Sequence, residues 1–320
     1  MRYSGGVDSK RLLAALLILC SAAGPTRGAN NKNCPPPQLA SVDIAIAGPT
    51  LVPVTLGSQP AWMMLQTDGA FTFLHQDAIS SLQLPTHTLG KDALEVILGG
   101  RRVTQVASFK PLQVGSASLT RTEFFVDPFP HTSPVYEGRL VAGSLAMDVL
   151  WPFDLELDLA TRKLALYSPG NCAGAAVTWS QHYGRIPMDF TAVGGFYFTV
   201  EIDGKKLETS IATSLENSQM TVDVSRLLSS ADSTSTPGQV LTRVVRLAAG
   251  DLVIPDKIQL TEAPPQACEL SSAGRPDGAL GYDRCYGRFP LVLGRSALRN
   301  LHLYLATREK VIYFTVAGVQ

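Results

Sequence analysis

The chain has 320 residues, 45% of them hydrophobic and 17% charged, which fits a packed globular protein and excludes a disordered one. Its 27 basic and 27 acidic residues cancel, so the composition offers no electrostatic handle for nucleic acid or an anionic membrane. The length leaves room for two domains of ordinary size, each able to bury a core.

The first 29 residues read as a secretory signal. Arg2, Lys10 and Arg11 precede an apolar run at 12–19, and Ser21, Ala22, Ala23 and Gly24 supply the small residues of a cleavage site. That run is too short for a bilayer span, and no later stretch is long and apolar enough. Lipid attachment at Cys20 is disfavoured, because Leu19 stands where a small residue is usual. An exported protein is expected, periplasmic or secreted. Residues 30–41 form a polar, proline-rich entry segment containing Pro35, Pro36 and Pro37.

From about residue 42 the pattern is that of an antiparallel β domain with little helix. A strand at 51–56 turns at Gly57 and Ser58 into a second apolar strand, which runs into the polar turn Gln66, Thr67, Asp68, Gly69. A short helix is predicted at 75–82. Two alternating runs meeting at Gly99 and Gly100 predict a hairpin placed as a flap. Strands are expected around 112–114 and 123–126, then a turn and short helix at 143–150. The segment 153–159 alternates strictly and predicts a half-buried strand, closed by a hairpin with 163–167. The first unit ends near residue 170, and 171–185 reads as a linker.

The unit from 186 to 320 repeats this plan at a fixed spacing. Gln66 falls on Ala212, 146 residues later, and at the same spacing Leu56 meets Ile202, Thr67 meets Thr213, Thr72 meets Ser218 and Leu74 meets Met220. The string Leu159-Ala160-Thr161-Arg162 recurs as Leu305-Ala306-Thr307-Arg308. Agreement at several stations predicts an internal duplication, two related lobes rather than a many-unit repeat. The second copy is longer: a Ser/Thr-rich loop at 227–239 ends on Pro237 and Gly238 as its flap, and extra material carries Cys268 and Cys285. Both 277–283 and 292–298 resemble the glycine turn of the first copy.

With the signal removed four cysteines remain, which allow three pairings. Cys34 lies just before the first copy and Cys172 just after it, whereas Cys268 and Cys285 flank one loop. Bridges 34–172 and 268–285 are expected, in an oxidising compartment. No Cys-x-x-Cys or His-x-x-x-His spacing occurs, and His75, His87, His131, His182 and His302 are scattered and read as surface or loop residues. Neither a metal nor another cofactor is expected. Gly-x-Ser-x-Gly, Gly-x-Gly-x-x-Gly and phosphate-loop patterns are absent as well. Trp62, Met63 and Met64 read as core rather than groove lining.

The doubled plan of hairpin, polar turn, flap, glycine turn with helix and closing hairpin, together with Leu145-Ala146-Met147-Asp148-Val149-Leu150 and the strand Phe153-Asp154-Leu155-Glu156-Leu157-Asp158, resembles the pepsin and retroviral-protease class of aspartic peptidases. It is most similar to bacterial exported forms with two retropepsin-like lobes in one chain, over roughly 42–314. The resemblance implies two β-barrel lobes around a central cleft, in a monomer. It also implies an Asp-Thr-Gly turn from each lobe, whose two acids share a proton around a water. Here those turns read Gln66-Thr67-Asp68 and Ala212-Thr213-Ser214. The threonines that pin the turns remain, but both acids are replaced. Asp68 is the single candidate for a displaced acid, with Glu216 as the partner it would need, and the two are not symmetry-related. The reading of Asp68 as a turn residue capping its own backbone is preferred. The expected function is therefore an aspartic-peptidase-like protein without its dyad, holding an extended peptide or protein partner in the cleft. The alternatives are an active endopeptidase using Asp68, and a scaffold binding a partner on an outer face.

Overall fold

The computed structural model describes residues 34–90, 96–98, 101–130, 132–191, 195–202, 204–221, 223–224, 227, 240–249, 252–263, 270–271, 281–282 and 289–318. The signal segment, Cys20, His131, both flap tips (Gly99 and Gly100, Pro237 and Gly238) and the Cys268–Cys285 pair lie outside the described residues.

The described chain is mainly β, with only short helices. Six antiparallel strands form a platform that joins the two halves. In spatial order they are Gln38–Asp43, Lys163–Tyr167, Asp154–Asp158, Leu301–Ala306, Val311–Val316 and Gly184–Phe190. The first is a departure from expectation. Residues 38–41, read as part of a proline-rich lead-in, form an edge strand because Ala40 and Val42 find the Lys163–Tyr167 strand to pair with. Its start is tied down by the Cys34–Cys172 disulfide.

The two halves meet where Asp154–Asp158 pairs with Leu301–Ala306, with Leu157 directly opposite Leu303. Strict alternation in Asp-Leu-Glu-Leu-Asp sends Leu155 and Leu157 into the main hydrophobic core, which also takes Leu303 and Leu305. The acidic side chains face the other way, yet they are not left to solvent. Asp154 accepts from the Thr307 backbone N–H (2.8 Å) and hydroxyl (2.9 Å), the Tyr304 hydroxyl (3.2 Å) and the Gly170 N–H (3.2 Å). Burial pushes its pKa up and these bonds only partly oppose the rise. Glu156 meets His302 Nε2 at 2.8 Å, and Trp179 stacks on the His302 ring at 3.9 Å. The segment expected to be a plain linker thus roofs the polar face of the platform with Ala176, Val177 and Trp179.

Above the platform, the hairpin Thr50–Leu56 and Gln59–Gln66 pairs as its alternation and Gly-Ser turn predict. Arg139–Ala146 runs parallel beside Gln59–Gln66, and Phe73–Leu74 returns against it. Gly143 is required there: its φ is +155°, and a Cβ would lie 2.0 Å from the Phe73 carbonyl oxygen. The helices Gln76–Ser81 and Met147–Leu150 fall within the predicted segments. Trp62 and Met63 are buried, as expected, and Met64 is half-buried. His302, read as a surface or loop residue, lies on the strand Leu301–Ala306 with its side chain mostly covered, and His75 does sit in a loop but not at the surface. His75 is buried with Nδ1 3.3 Å from the Ser133 hydroxyl, because the end of strand Phe73–Leu74 feeds it inward.

In the second half, Phe196–Ile202 and Lys205–Ile211 form the matching hairpin, with Leu291–Leu293 parallel to the latter. Of the two glycine turns read from sequence, 292–298 holds this place and leads into the helix Arg295–Leu298. The described part of the other, Gly281–Tyr282, pairs with Leu270–Ser271 in a separate two-stranded ribbon.

Candidate functional site

Strands Gln59–Gln66 and Lys205–Ile211 each deliver a polar turn to the seam between the halves. Both turns close with the same local bond, Gly69 N–H to Gln66 O at 3.0 Å and Leu215 N–H to Ala212 O at 3.3 Å. The threonines at their centres cross over. Thr67 Oγ1 donates to Ile211 O at 2.8 Å, and Thr213 Oγ1 donates to Leu65 O at 2.6 Å. Each hydroxyl also accepts the opposite threonine's backbone N–H, at 3.3 Å and 3.2 Å. Both side chains are buried, so four hydrogen bonds lock one turn to the other in a dry setting.

A second tier anchors each turn from behind. The Thr72 hydroxyl accepts the Ala146 N–H and donates to Asp148 at 2.6 Å, and the Ser218 hydroxyl accepts the Gly294 N–H at 3.0 Å. Gly294 is needed because a Cβ there would come within 2.6 Å of the Asn217 carbonyl. The next residue differs in kind between the halves. On the first side Met147 is fully buried. On the second, Arg295 is almost as buried and donates to Thr213 O (2.9 Å), Ser214 O (3.0 Å) and Glu216 Oε2 (2.8 Å). Arg299 grips the same carboxylate at 2.8 Å. Partial burial alone would raise the Glu216 pKa, but the two guanidiniums outweigh it and hold the carboxyl below its usual range. Sequence reasoning did not find Arg295, although a lone arginine in the otherwise apolar Leu293-Gly294-Arg295-Ser296-Ala297-Leu298 was a usable signal.

At the positions that carry the acids in the resembling family, the amide of Gln66 folds back onto its own turn, where a Cβ at Gly69 would lie 3.0 Å from its Cγ, Cδ and Oε1. Ala212 is completely buried and offers a methyl group. Asp68 stands two residues further on and is exposed, though protein around it takes away part of its hydration. That loss of solvent raises its pKa, against the opposing pull of its own backbone N–H and the Ser214 hydroxyl. Ser214 donates to it across the seam, 3.1 Å from Oδ1 and 3.2 Å from Oδ2. Asp68 therefore bonds to the opposite turn as well as capping its own. Glu216, the partner a displaced pair would need, is committed to Arg295 and Arg299. Among the described residues no group of three or more metal-ligating side chains is gathered.

The short ribbon Ile97–Leu98 with Arg101–Arg102 is flanked in sequence by Val96 and Val103, which join Phe73, Val106 and Phe125 in a buried apolar cluster, with Phe71 packed edge-on to Phe125 at 5.3 Å.

Comparison with known proteins bears on the fold. No family model matches the chain, and no curated protein matches its sequence. Solved structures do. The aspartic proteinase from Irpex lacteus superposes with a TM-score of 0.52 at 10% identity, over 88% of this chain and 98% of that one. Basic 7S globulin from soybean gives 0.50 at 9% identity, over 89% and 96%. Conglutin gamma, a basic 7S globulin from lupine seeds, gives 0.51 at 10% identity, over 89% and 96%. The chain is similar to all three in fold.

Proposed function

We propose that this is an exported, two-lobed aspartic-proteinase-like protein whose central cleft holds an extended peptide or protein segment without hydrolysing it. One observation carries the reading: where the two turns meet, the facing positions present a folded-back amide at Gln66 and a buried methyl at Ala212, while the threonine lock between the turns is intact. Two carboxyl groups sharing a proton are what peptide hydrolysis on this fold requires. Asp68 supplies one, and its neighbour across the seam is a serine hydroxyl. An extended ligand suits a groove floored by strand ends, where backbone bonds hold it and side-chain pockets choose it.

The halves at 42–170 and 186–320 arose by duplication in this proposal. The spacing of 146 residues read from the sequence recurs in space, between Thr67 and Thr213, Asp68 and Ser214, and Glu156 and His302. The opposed pair Leu157 and Leu303 in the platform has the same spacing. Export is supported by the disulfide joining Cys34 to Cys172.

The test is photo-crosslinking to a pool of N-acetylated hexapeptides. A photoreactive side chain at position 66 should capture peptide, and the same group at exposed Ser118 should not. Equal capture from both positions, or none from position 66, would overturn the proposal.

A further inference from the structure

We propose that the floor of this cleft recognises a primary ammonium group, the side chain of a lysine in the bound peptide, through Asp68. The inference rests on the cleft's being a peptide-binding groove and adds what that groove selects.

Asp68 is the acid at the seam and its bonding is incomplete. A carboxylate has about four acceptor positions. Here they receive its own backbone N–H and the Ser214 hydroxyl proton. Among the described residues no lysine, arginine or histidine comes within ion-pairing distance of it. The arginines around the turns are spoken for: Arg295 by Glu216 and two backbone carbonyls, Arg299 by Glu216, and Arg121 by Asp148. Asp68 is exposed to an incoming ligand, and a carboxylate whose hydration is reduced and that has no counter-ion gains from a cation brought to it.

Its place along the groove is also specific. Asp68 and Ser214 occupy corresponding positions on the two turns and touch across the seam, at the middle of any ligand laid along it.

The Ser214 hydroxyl decides between the two basic side chains. Lying nearly equidistant from both carboxylate oxygens, it sits astride the approach that a planar guanidinium needs for two parallel bonds. An ammonium requires only a lone pair on the outer side of one oxygen. Lysine is thus accommodated with the Asp68–Ser214 bond in place, and arginine is not.

The experiment is fluorescence anisotropy of the purified chain with N-acetylated, C-amidated hexapeptide pools. Each position is fixed in turn as lysine, arginine, norleucine or glutamate, and acetylation removes the competing terminal ammonium. At one position lysine should bind about tenfold or more tighter than norleucine, the scale of one charge-assisted bond. Asp68→Asn should bring that ratio close to one. Ser214→Ala should narrow the gap between lysine and arginine by clearing the bidentate approach. Binding with no basic preference at any position, or a lysine preference that survives Asp68→Asn, overturns the inference and leaves the peptide groove standing. Failure of every pool to bind overturns both.

Discussion

Removing one threonine hydroxyl at the seam isolates what holds the two turns together. Thr67→Val keeps the side-chain shape, so no cavity opens, but the Ile211 carbonyl loses its donor and the Thr213 N–H loses its acceptor. Both groups stay buried, and each unsatisfied buried group costs about 1–3 kcal/mol, giving about 2–6 kcal/mol for the substitution. That is a large share of the 5–15 kcal/mol by which a typical domain is stable. Thr213→Val removes the reciprocal pair, to Leu65 O and from the Thr67 N–H, and should cost about the same. Each single change also loosens the turn that the other threonine depends on, so the double variant should lose less than the sum of the two. The assay is urea unfolding of wild type, both singles and the double, read as a double-mutant cycle. Losses below about 0.5 kcal/mol for either single variant would refute the reasoning, since surface-like changes fall in that range.

Other consequences follow from the same contacts. Arg295→Met should destabilise by about 1–3 kcal/mol, because the part-buried Ser214 carbonyl loses its donor and the buried Thr213 carbonyl keeps only the 3.3 Å bond from the Thr50 hydroxyl, whereas Glu216→Gln should cost under about 1 kcal/mol because that side chain is half in solvent and still offers an acceptor; urea midpoints separate the two. Asp68 and pH give a signed test. A carboxyl whose folded pKa is raised favours the native state when protonated, and that contribution is lost as pH rises through the folded value. Asp68→Asn should therefore raise Tm at neutral pH, and the difference should close as pH falls towards the unperturbed 3.8, whereas a gap that widens in acid would contradict the sign. Reducing the Cys34–Cys172 bridge, which spans 138 residues, should lower stability by roughly 5 kcal/mol on the chain-entropy estimate; a calorimetric scan with and without reductant reads it.

The sequence made the hairpins and the closing strands legible because their alternation is local: Asp-Leu-Glu-Leu-Asp can only put its leucines on one face. It also placed Thr67 and Thr213 at the junction, through the constant spacing. What it hid was every feature created by chain ends meeting distant partners. Gln38–Asp43 is a strand only because Lys163–Tyr167 offers it an edge, and the proline-rich lead-in gave no sign of that. The platform shared by both halves was hidden for the same reason, since pairing of Asp154–Asp158 with Leu301–Ala306 joins segments far apart in the chain. At the site, the bond between Ser214 and Asp68 depends on how two turns face each other. The capture of Glu216 by Arg295 depends on a helix docking behind one turn, and neither leaves a local pattern.

The account stands most directly on the lack of a second acid at the seam. Incubating the purified chain with casein and an internally quenched peptide library between pH 4 and pH 7, with Asp68→Asn in parallel, measures this. Hydrolysis by the wild-type chain should not exceed that of the variant at any pH. Cleavage that Asp68→Asn abolishes would mean that this single carboxyl has found a catalytic partner, and the reading of the cleft as a non-hydrolytic peptide groove would be wrong.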